Sequence, residues 1–316
     1  MKLLHWLAVG TLALALASCG GTPIPAKPSI AAKPTTSNLD GATANAKKGK
    51  IREQAKGINT LMGFGRTLKA TGSLSDALTQ ALPELSQGQI AATVKGLNLA
   101  QRSGLQAQAT SACTGGSLAT PISNSTDADG DGIPVEILAV FTNCGLGSGA
   151  SNPILNGAIY IKDGNDNNAN SSYGIIIDLT ISTGSSSLKL GLGVDYTAPA
   201  TPTGAHGFNF VVLLKSVEAG VTSEVGVSFN STFQPTAGST NPYGNGTLNF
   251  TGTYSETEGS ASYGFNLTGT NLGIVTTCDD FNAGTLRVAD TNSSFLITYT
   301  GCGSGTYSGD ATGTFS

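Results

Sequence analysis

The sequence predicts a mainly β protein, a large antiparallel meander with a small α-helical region near its N-terminus. Apolar and polar residues alternate along much of the chain after about residue 115, and turn clusters separate the alternating runs. The composition agrees, because 43 glycines and only 11% charged residues suit short strands joined by many turns. We expect about eleven or twelve strands, arranged as a curled sheet, a barrel or a sandwich.

The clearest strands cover residues 188–196, 225–233 and 248–254. In each of them the apolar side chains occupy alternate positions, so one face of the strand is apolar and the other is polar. Turn sequences at 183–185 and 241–244 separate such runs. Short turns between consecutive strands favour antiparallel pairing of sequence neighbours.

The N-terminus has the pattern of an export signal. Lys2 is followed by the apolar run Leu3–Leu16, which is short for a membrane span, and small residues then precede Cys19. Leu16-Ala17-Ser18-Cys19 resembles the lipobox of bacterial lipoproteins; an ordinary secretory signal with a chance cysteine is the alternative. The resemblance implies that residues 1–18 are removed and that Cys19 carries a diacylglyceryl lipid anchored in a membrane outside the cytoplasm.

Two segments separate this anchor from the predicted strands. Residues 19–46 are rich in Pro, Ala, Thr and Ser, which predicts a flexible tether. In the lipoproteins that the motif resembles, an Asp after the cysteine often retains the protein at the inner membrane; Gly20 and Gly21 instead favour the outer membrane or the cell surface. Residues 47–108 form the predicted helical region, and 109–316 the β domain. Apolar residues recur at helical spacing in three stretches, Ile51 to Met62, Leu74 to Leu82 and Ile90 to Leu97.

With Cys19 lipidated, four cysteines are left to pair. Cys113 and Cys278 each precede a Gly-x-Leu sequence, and Cys144 and Cys302 each lie in an aromatic-Thr-x-Cys-Gly sequence, so the β domain contains a weak repeat. Three pairings are possible, and the repeat favours Cys113 with Cys144 and Cys278 with Cys302. Structural disulfides fit an oxidising compartment.

The net charge of −4 divides unevenly. Residues 19–102 contain eleven basic residues and four acids, a net of +7, whereas residues 103–316 contain four basic residues and sixteen acids, a net of −12. So acidic a body makes nucleic acid an unfavourable partner. The basic stretch 47–52 suits attraction to anionic lipid headgroups; an ordinary solvated helix face is an equal alternative.

A calcium site is predicted within the first Cys-to-Cys interval. Asp127, Asp129 and Asp131 alternate with small residues in a loop that resembles the start of EF-hand and related calcium loops, and Glu136 is a fourth candidate ligand. The sequence departs from the EF-hand where that motif closes, so a solvated acidic turn is the alternative. Asp163, Asn165 and Asn167 form a weaker second loop, which a polar hairpin tip explains equally well.

No enzymatic site is predicted. After removal of the signal, His206 is the only histidine, and its Gly-flanked position indicates a solvated loop residue. The sequence has no nucleophile elbow, P-loop or dinucleotide fingerprint, although hydrolysis by paired acids stays open.

These observations favour a non-enzymatic lipoprotein of the cell envelope, a structural or interaction module at the membrane surface. The alternative is a carrier or sensor for a lipid or other apolar ligand, held against the apolar sheet face and capped by helices. A third possibility is an outer-membrane barrel, which the polar interruptions of the apolar faces disfavour.

Overall fold

The computed structural model describes residues 24–27, 39–53, 55–56, 113–130, 133–145, 152–168, 171–242 and 244–316. The signal segment, Cys19, most of the predicted helical region and Asp131 lie outside these residues. Among the described residues, no helix is both long and apolar enough to cross a membrane.

Thirteen strands account for most of the described chain. They are β1 (Ser117–Asn124), β2 (Glu136–Gly145), β3 (Ile154–Asp163), β4 (Tyr173–Thr183), β5 (Ser186–Thr197), β6 (His206–Glu218), β7 (Val221–Pro235), β8 (Gly246–Glu258), β9 (Ala261–Ile274), β10 (Gly284–Ala289), β11 (Ser294–Gly301), β12 (Ser304–Gly309) and β13 (Gly313–Phe315).

The strands form one antiparallel sheet in which spatial order follows sequence order from β1 to β13. The predicted fold class, a mainly β antiparallel meander, is therefore confirmed, with one or two strands more than expected. The expected arrangements were a curled sheet, a barrel and a sandwich, and the structure has one sheet of thirteen strands. Within the described residues its end strands β1 and β13 do not pair, so the sheet is not closed.

One face of the sheet, called here the core face, carries the apolar side chains that the alternation predicts. Tyr196, Phe208, Phe210 and Phe229 form a continuous series of ring contacts along it, with centroids 4.9–6.1 Å apart. Successive residues of a strand point to opposite faces, so we call the other side the outer face. The following core-face side chains are each less than 5% exposed: Ile177, Leu192, Val194, Phe208, Phe210, Phe229, Leu248, Phe250, Phe265, Leu286 and Ile297.

One helix, α1 (residues 41–53), packs on the core face. Asp40 caps it, because its carboxylate accepts a hydrogen bond from the backbone N–H of Thr43 at 2.7 Å, which lowers the pKa of Asp40. Ala44 and Ile51 are fully buried in the same core as the strands. The helix thus starts six residues before position 47, within the segment expected to be a tether.

The disulfides join Cys113 to Cys144 and Cys278 to Cys302, the pairing that the repeat predicts. Cys113 precedes β1 and Cys144 lies in β2, so the first bond is at one end of the sheet. The second bond joins the β9–β10 connection to the turn between β11 and β12, near the other end. Each closes a short interval of 31 or 24 residues.

Candidate functional site

Three carboxylates from two loops meet near one end of β1 to β4. Asp127 and Asp129 lie in the β1–β2 loop, and Asp166 lies in the β3–β4 loop. One oxygen from each lies within 4.8 Å of the others, and all three residues are partly buried. The backbone N–H of Ala128 donates to Asp166 Oδ1 at 3.1 Å, which connects the two loops directly. Three carboxylate oxygens at such separations are a suitable partial shell for a hard divalent cation.

The buried Asp163 fixes the second loop against the first. It is 5% exposed, its carboxylate accepts a hydrogen bond from the Ser171 hydroxyl, and its backbone N–H donates to Val135 O at 3.1 Å. Asn165, another predicted ligand of this loop, accepts a hydrogen bond from the backbone N–H of Asn167 at 3.2 Å. In the structure both residues therefore organise the loop that presents Asp166.

The structure groups the predicted ligands differently from the sequence. Asp127 and Asp129 belong to the cluster, and Asp131 is outside the described residues. Glu136 is not in the cluster: its carboxylate accepts a hydrogen bond from Tyr160 at 2.7 Å and lies 3.7 Å from the ammonium of Lys162. Burial and this carboxylate raise the pKa of Tyr160 to about 12, which keeps its hydroxyl a donor.

Asp166 is the member of the carboxylate cluster that sequence analysis missed. It lies between Asn165 and Asn167 in the weaker loop, at a position that the alternating pattern skips. The signal for it is the presence of two acidic, glycine-containing loops separated by one other loop, because every second loop of an antiparallel meander lies at the same end of the sheet. The sequence pattern within each loop could not show that they share a site.

His206 is a core residue, so the prediction of a solvated loop histidine was wrong. It is 1% exposed, and its Nδ1 lies 2.8 Å from the hydroxyl of Tyr196. The residue begins β6 with its side chain on the core face, opposite Phe233. Burial lowers the pKa of His206, which favours the neutral imidazole. Its flanking glycines mark the strand end and do not indicate exposure.

The basic stretch of α1 contacts the β domain through each of its cations. Lys47 Nζ lies 4.1 Å from the ring centroid of Tyr263, and the Arg52 guanidinium lies 4.3 Å from that of Phe315. Lys48 donates to Thr312 O, and Lys50 Nζ lies 3.3 Å from Glu256. These contacts combine cation–π and charge attraction between the basic and acidic parts of the chain. In this arrangement the stretch contacts the sheet, while the Lys50 side chain stays 59% exposed.

Glu256 contacts both Lys50 of α1 and two tyrosines of the sheet. Its carboxylate accepts hydrogen bonds from Tyr254, at 2.7 Å, and from Tyr263. Burial favours the protonated acid, but these two hydrogen bonds and the Lys50 ammonium outweigh it, so the pKa of Glu256 is lowered. Glu256 is therefore ionised at neutral pH and holds α1 to β8 and β9.

A second ionic contact lies beside the Cys278–Cys302 bond. Arg52 Nε is 3.4 Å from Asp280 Oδ2, and Asp280 is only 3% exposed. Burial raises the pKa of Asp280, partly opposed by the backbone N–H of Phe281 and by the charge of Arg52. The cluster is a structural connection between the helix and the sheet.

No family model matches the chain, and neither a curated protein nor a solved structure is significantly similar to it. The site must therefore be interpreted from its own geometry. The carboxylate cluster offers oxygen ligands to a cation, and the contacts of α1 hold the helix against the sheet.

Proposed function

We propose that this protein is a non-catalytic lipoprotein of the bacterial cell envelope, anchored through Cys19, whose β domain is a rigid structural or interaction module. Two disulfides, one near each end of the open sheet, are the observation that supports this most directly. Such bonds form and persist in oxidising compartments outside the cytoplasm. The lipobox resemblance supplies the anchor.

The disulfides suit a passive, persistent role. Each closes a loop of about 25 to 30 residues, which stabilises the fold by about 3–4 kcal/mol in the chain-entropy account. Cys113–Cys144 holds the outermost strand β1 to β2, and Cys278–Cys302 holds the turns of the last strands. The ends of the sheet, which have fewer neighbouring strands, are thereby held against fraying.

A metabolic labelling experiment tests the anchor. Cells expressing the full chain are grown with alkyne-tagged palmitate, and the protein is isolated and analysed for label and for partition into detergent. We expect the wild-type chain to carry label and to enter the detergent phase, and Cys19→Ser to lose both properties. Ser18→Ala is the matched control, since it keeps a small residue before the cysteine. Labelling of Cys19→Ser, or none in the wild type, contradicts the proposal.

We also propose that Ca²⁺ binds the cluster of Asp127, Asp129 and Asp166 and stiffens the two loops. The hydrogen bond from Ala128 to Asp166 and the burial of Asp163 support this, because they hold the carboxylates together before any ion binds. A bound cation would offset the mutual repulsion of the three charges. The role assigned to the ion is stabilisation of one end of the sheet.

A further inference from the structure

A pocket of about 400 Å³ lies on the outer face of β3 to β5, next to Lys27. Tyr160, Gly174 and Ile176 line it from the outer face. Tyr173 and Tyr196 also border it, although their side chains belong to the core face. Its volume falls in the range of about 300–1,000 Å³ that is usual for small-ligand sites. It is separate from the carboxylate cluster and from the contacts of α1.

The lining of this pocket is mainly apolar. Ile176 points away from the core, yet it is only 9% exposed. Gly174 lies in the same strand two residues earlier, and a β-carbon placed there would meet nothing closer than Asp195 Oδ1 at 3.6 Å. The absence of a side chain at Gly174 thus leaves open space beside Ile176.

The charged groups around the pocket neutralise one another. Lys27 forms an ion pair with Asp195, and Lys162 lies 3.7 Å from Glu136. The pocket therefore offers an apolar surface with balanced charge around it, which favours a hydrocarbon group over a small ion.

The ion pair of Lys27 brings this pocket close to the N-terminal anchor. Lys27 follows Cys19 by only eight positions. A fully extended chain of that length spans at most about 28 Å. Because Lys27 lies on the pocket itself, a lipid chain at or near Cys19 would be within reach of the pocket.

We propose that this pocket binds one acyl chain, supplied by the Cys19 lipid or by a lipid of the same membrane. The choice of an acyl chain rests on the proposed lipid anchoring. The acyl chain lies against the side chains of Ile176 and Tyr160, with Lys27 at the edge of the pocket. This places the apolar ligand on the outer face, whereas the sequence suggested the core face for a carrier.

The binding test uses the mature chain with Cys19→Ser and the fluorescent fatty acid cis-parinaric acid. We expect saturable binding, and a loss of at least about tenfold in affinity for Gly174→Val, because its side chain fills the space beside Ile176. Thr180→Val is the matched control: it places valine on the same strand and outer face, away from the pocket, and should leave affinity unchanged. If Gly174→Val does not fold, Ile176→Gln provides the same test through a polar lining.

The lipidated protein identifies the source of the chain. Probe binding to the Cys19→Ser chain but not to the lipidated chain assigns the pocket to the protein's own lipid, whereas equal binding to both assigns it to a membrane lipid. No saturable binding to the Cys19→Ser chain, or equal affinity of wild type and Gly174→Val, overturns the inference. Palmitate labelling of Cys19 is measured separately, so failure of this site is distinguishable from failure of the anchor.

Discussion

The backbone N–H of Asn143 donates to the side-chain oxygen of Asn156 on the neighbouring strand, at 2.7 Å, and Asn271 does the same to Asn249 at 2.8 Å. Both donors have a left-handed backbone, with φ of 49° and 50°. Strand register shifts beside both, in β2 and where β8 pairs with β9. One type of bulge therefore occurs in both halves of the β domain, in regions that a disulfide also holds.

Each bulge packs against a glycine at the N-terminal end of the neighbouring strand: Gly116 directly precedes β1, and Gly284 begins β10. Gly116 and Gly284 both have positive φ, and a β-carbon there would lie 2.1 Å from Asn143 O and 2.2 Å from Asn271 O. We expect Gly116→Ala and Gly284→Ala to lower the free energy of unfolding by more than about 2 kcal/mol beyond the cost of the backbone conformation itself. Urea titration followed by circular dichroism measures this loss.

Gly184→Ala is the matched control for that prediction. Gly184 also has positive φ, 58°, but no atom lies within 4 Å of the added β-carbon. Gly184→Ala should lower the free energy of unfolding by about 1 kcal/mol, the cost of placing alanine in a left-handed backbone conformation. Equal losses for all three variants would show that the bulges relax and do not need these glycines.

The bulges show how far the sequence could predict this fold. The Gly-x-Leu sequences after Cys113 and Cys278 revealed a repeat and gave the disulfide pairing. They could not reveal the bulge, because Asn143 follows its glycine in the chain whereas Asn271 precedes its own. Strand existence follows from local alternation, but the partner of a bulged residue is a long-range contact.

In the candidate sites, too, the local sequence pattern predicts the segments, whereas their long-range contacts could not be predicted. The acidic loops were recognised from local spacing, but their convergence depends on the pairing of β1 to β4. Likewise, the basic composition of residues 47–52 was evident, and its contacts with Glu256 and Asp280 required the position of α1 on the core face. The burial of His206 could not be predicted, because the glycines near it indicate a backbone turn and carry no information about the burial of its side chain.

The buried pair of Arg52 and Asp280 predicts a destabilisation that depends on pH. Arg52→Met should lower the free energy of unfolding by about 3 kcal/mol near neutral pH, because it leaves a buried carboxylate without its cation. Burial already raises the pKa of Asp280, and Arg52 opposes this, so the variant protonates Asp280 more readily. The loss should therefore shrink as the pH falls toward the raised pKa of Asp280.

Two comparisons separate this effect from a general loss of contacts. Arg52→Met with Asp280→Asn should be more stable than Arg52→Met alone, since no buried charge is left. Lys189→Met breaks an exposed ion pair with Asp178, 3.1 Å long, and should cost less than about 1 kcal/mol. A loss in Arg52→Met that does not vary with pH would assign the effect to the stacking of Arg52 on Phe315.

His206 predicts a separate change of stability with pH. Its pKa is lowered from 6.5 by burial, so the unfolded chain takes up a proton at a higher pH than the folded chain. Its contribution is complete above about pH 6.5 and is lost as pH falls toward the folded-state pKa. Glu256 titrates at lower pH, since its folded-state pKa is below 4.5.

The variant His206→Gln tests this window. Glutamine keeps a polar group for the Tyr196 hydroxyl but does not titrate, so unfolding free energies between about pH 6.5 and 5 should vary less than in the wild type. Thermal unfolding at a series of pH values measures how the unfolding free energy varies with pH in the wild type and in the variant. Identical slopes in the two proteins would mean that His206 is not the group responsible.

Calcium binding predicts a change in melting temperature that depends on which carboxylates form the site. A ligand at one hundred times its dissociation constant stabilises the folded state by about 2.7 kcal/mol, which corresponds to a rise of several degrees in a domain of this size. We expect Ca²⁺ to raise the melting temperature of the wild type and EDTA to lower it. Asp129→Asn and Asp166→Asn should remove this response.

Glu136→Gln is the decisive companion variant, because the sequence and the structure disagree about that residue. Its carboxylate contacts Tyr160 and Lys162, so its loss should leave the calcium response intact. A response that survives Asp166→Asn and disappears in Glu136→Gln would instead restore the ligand set expected from a single loop. An unchanged wild-type melting temperature with Ca²⁺ and with EDTA would leave the cluster as a solvated pair of acidic turns, since binding to the folded state alone must stabilise it.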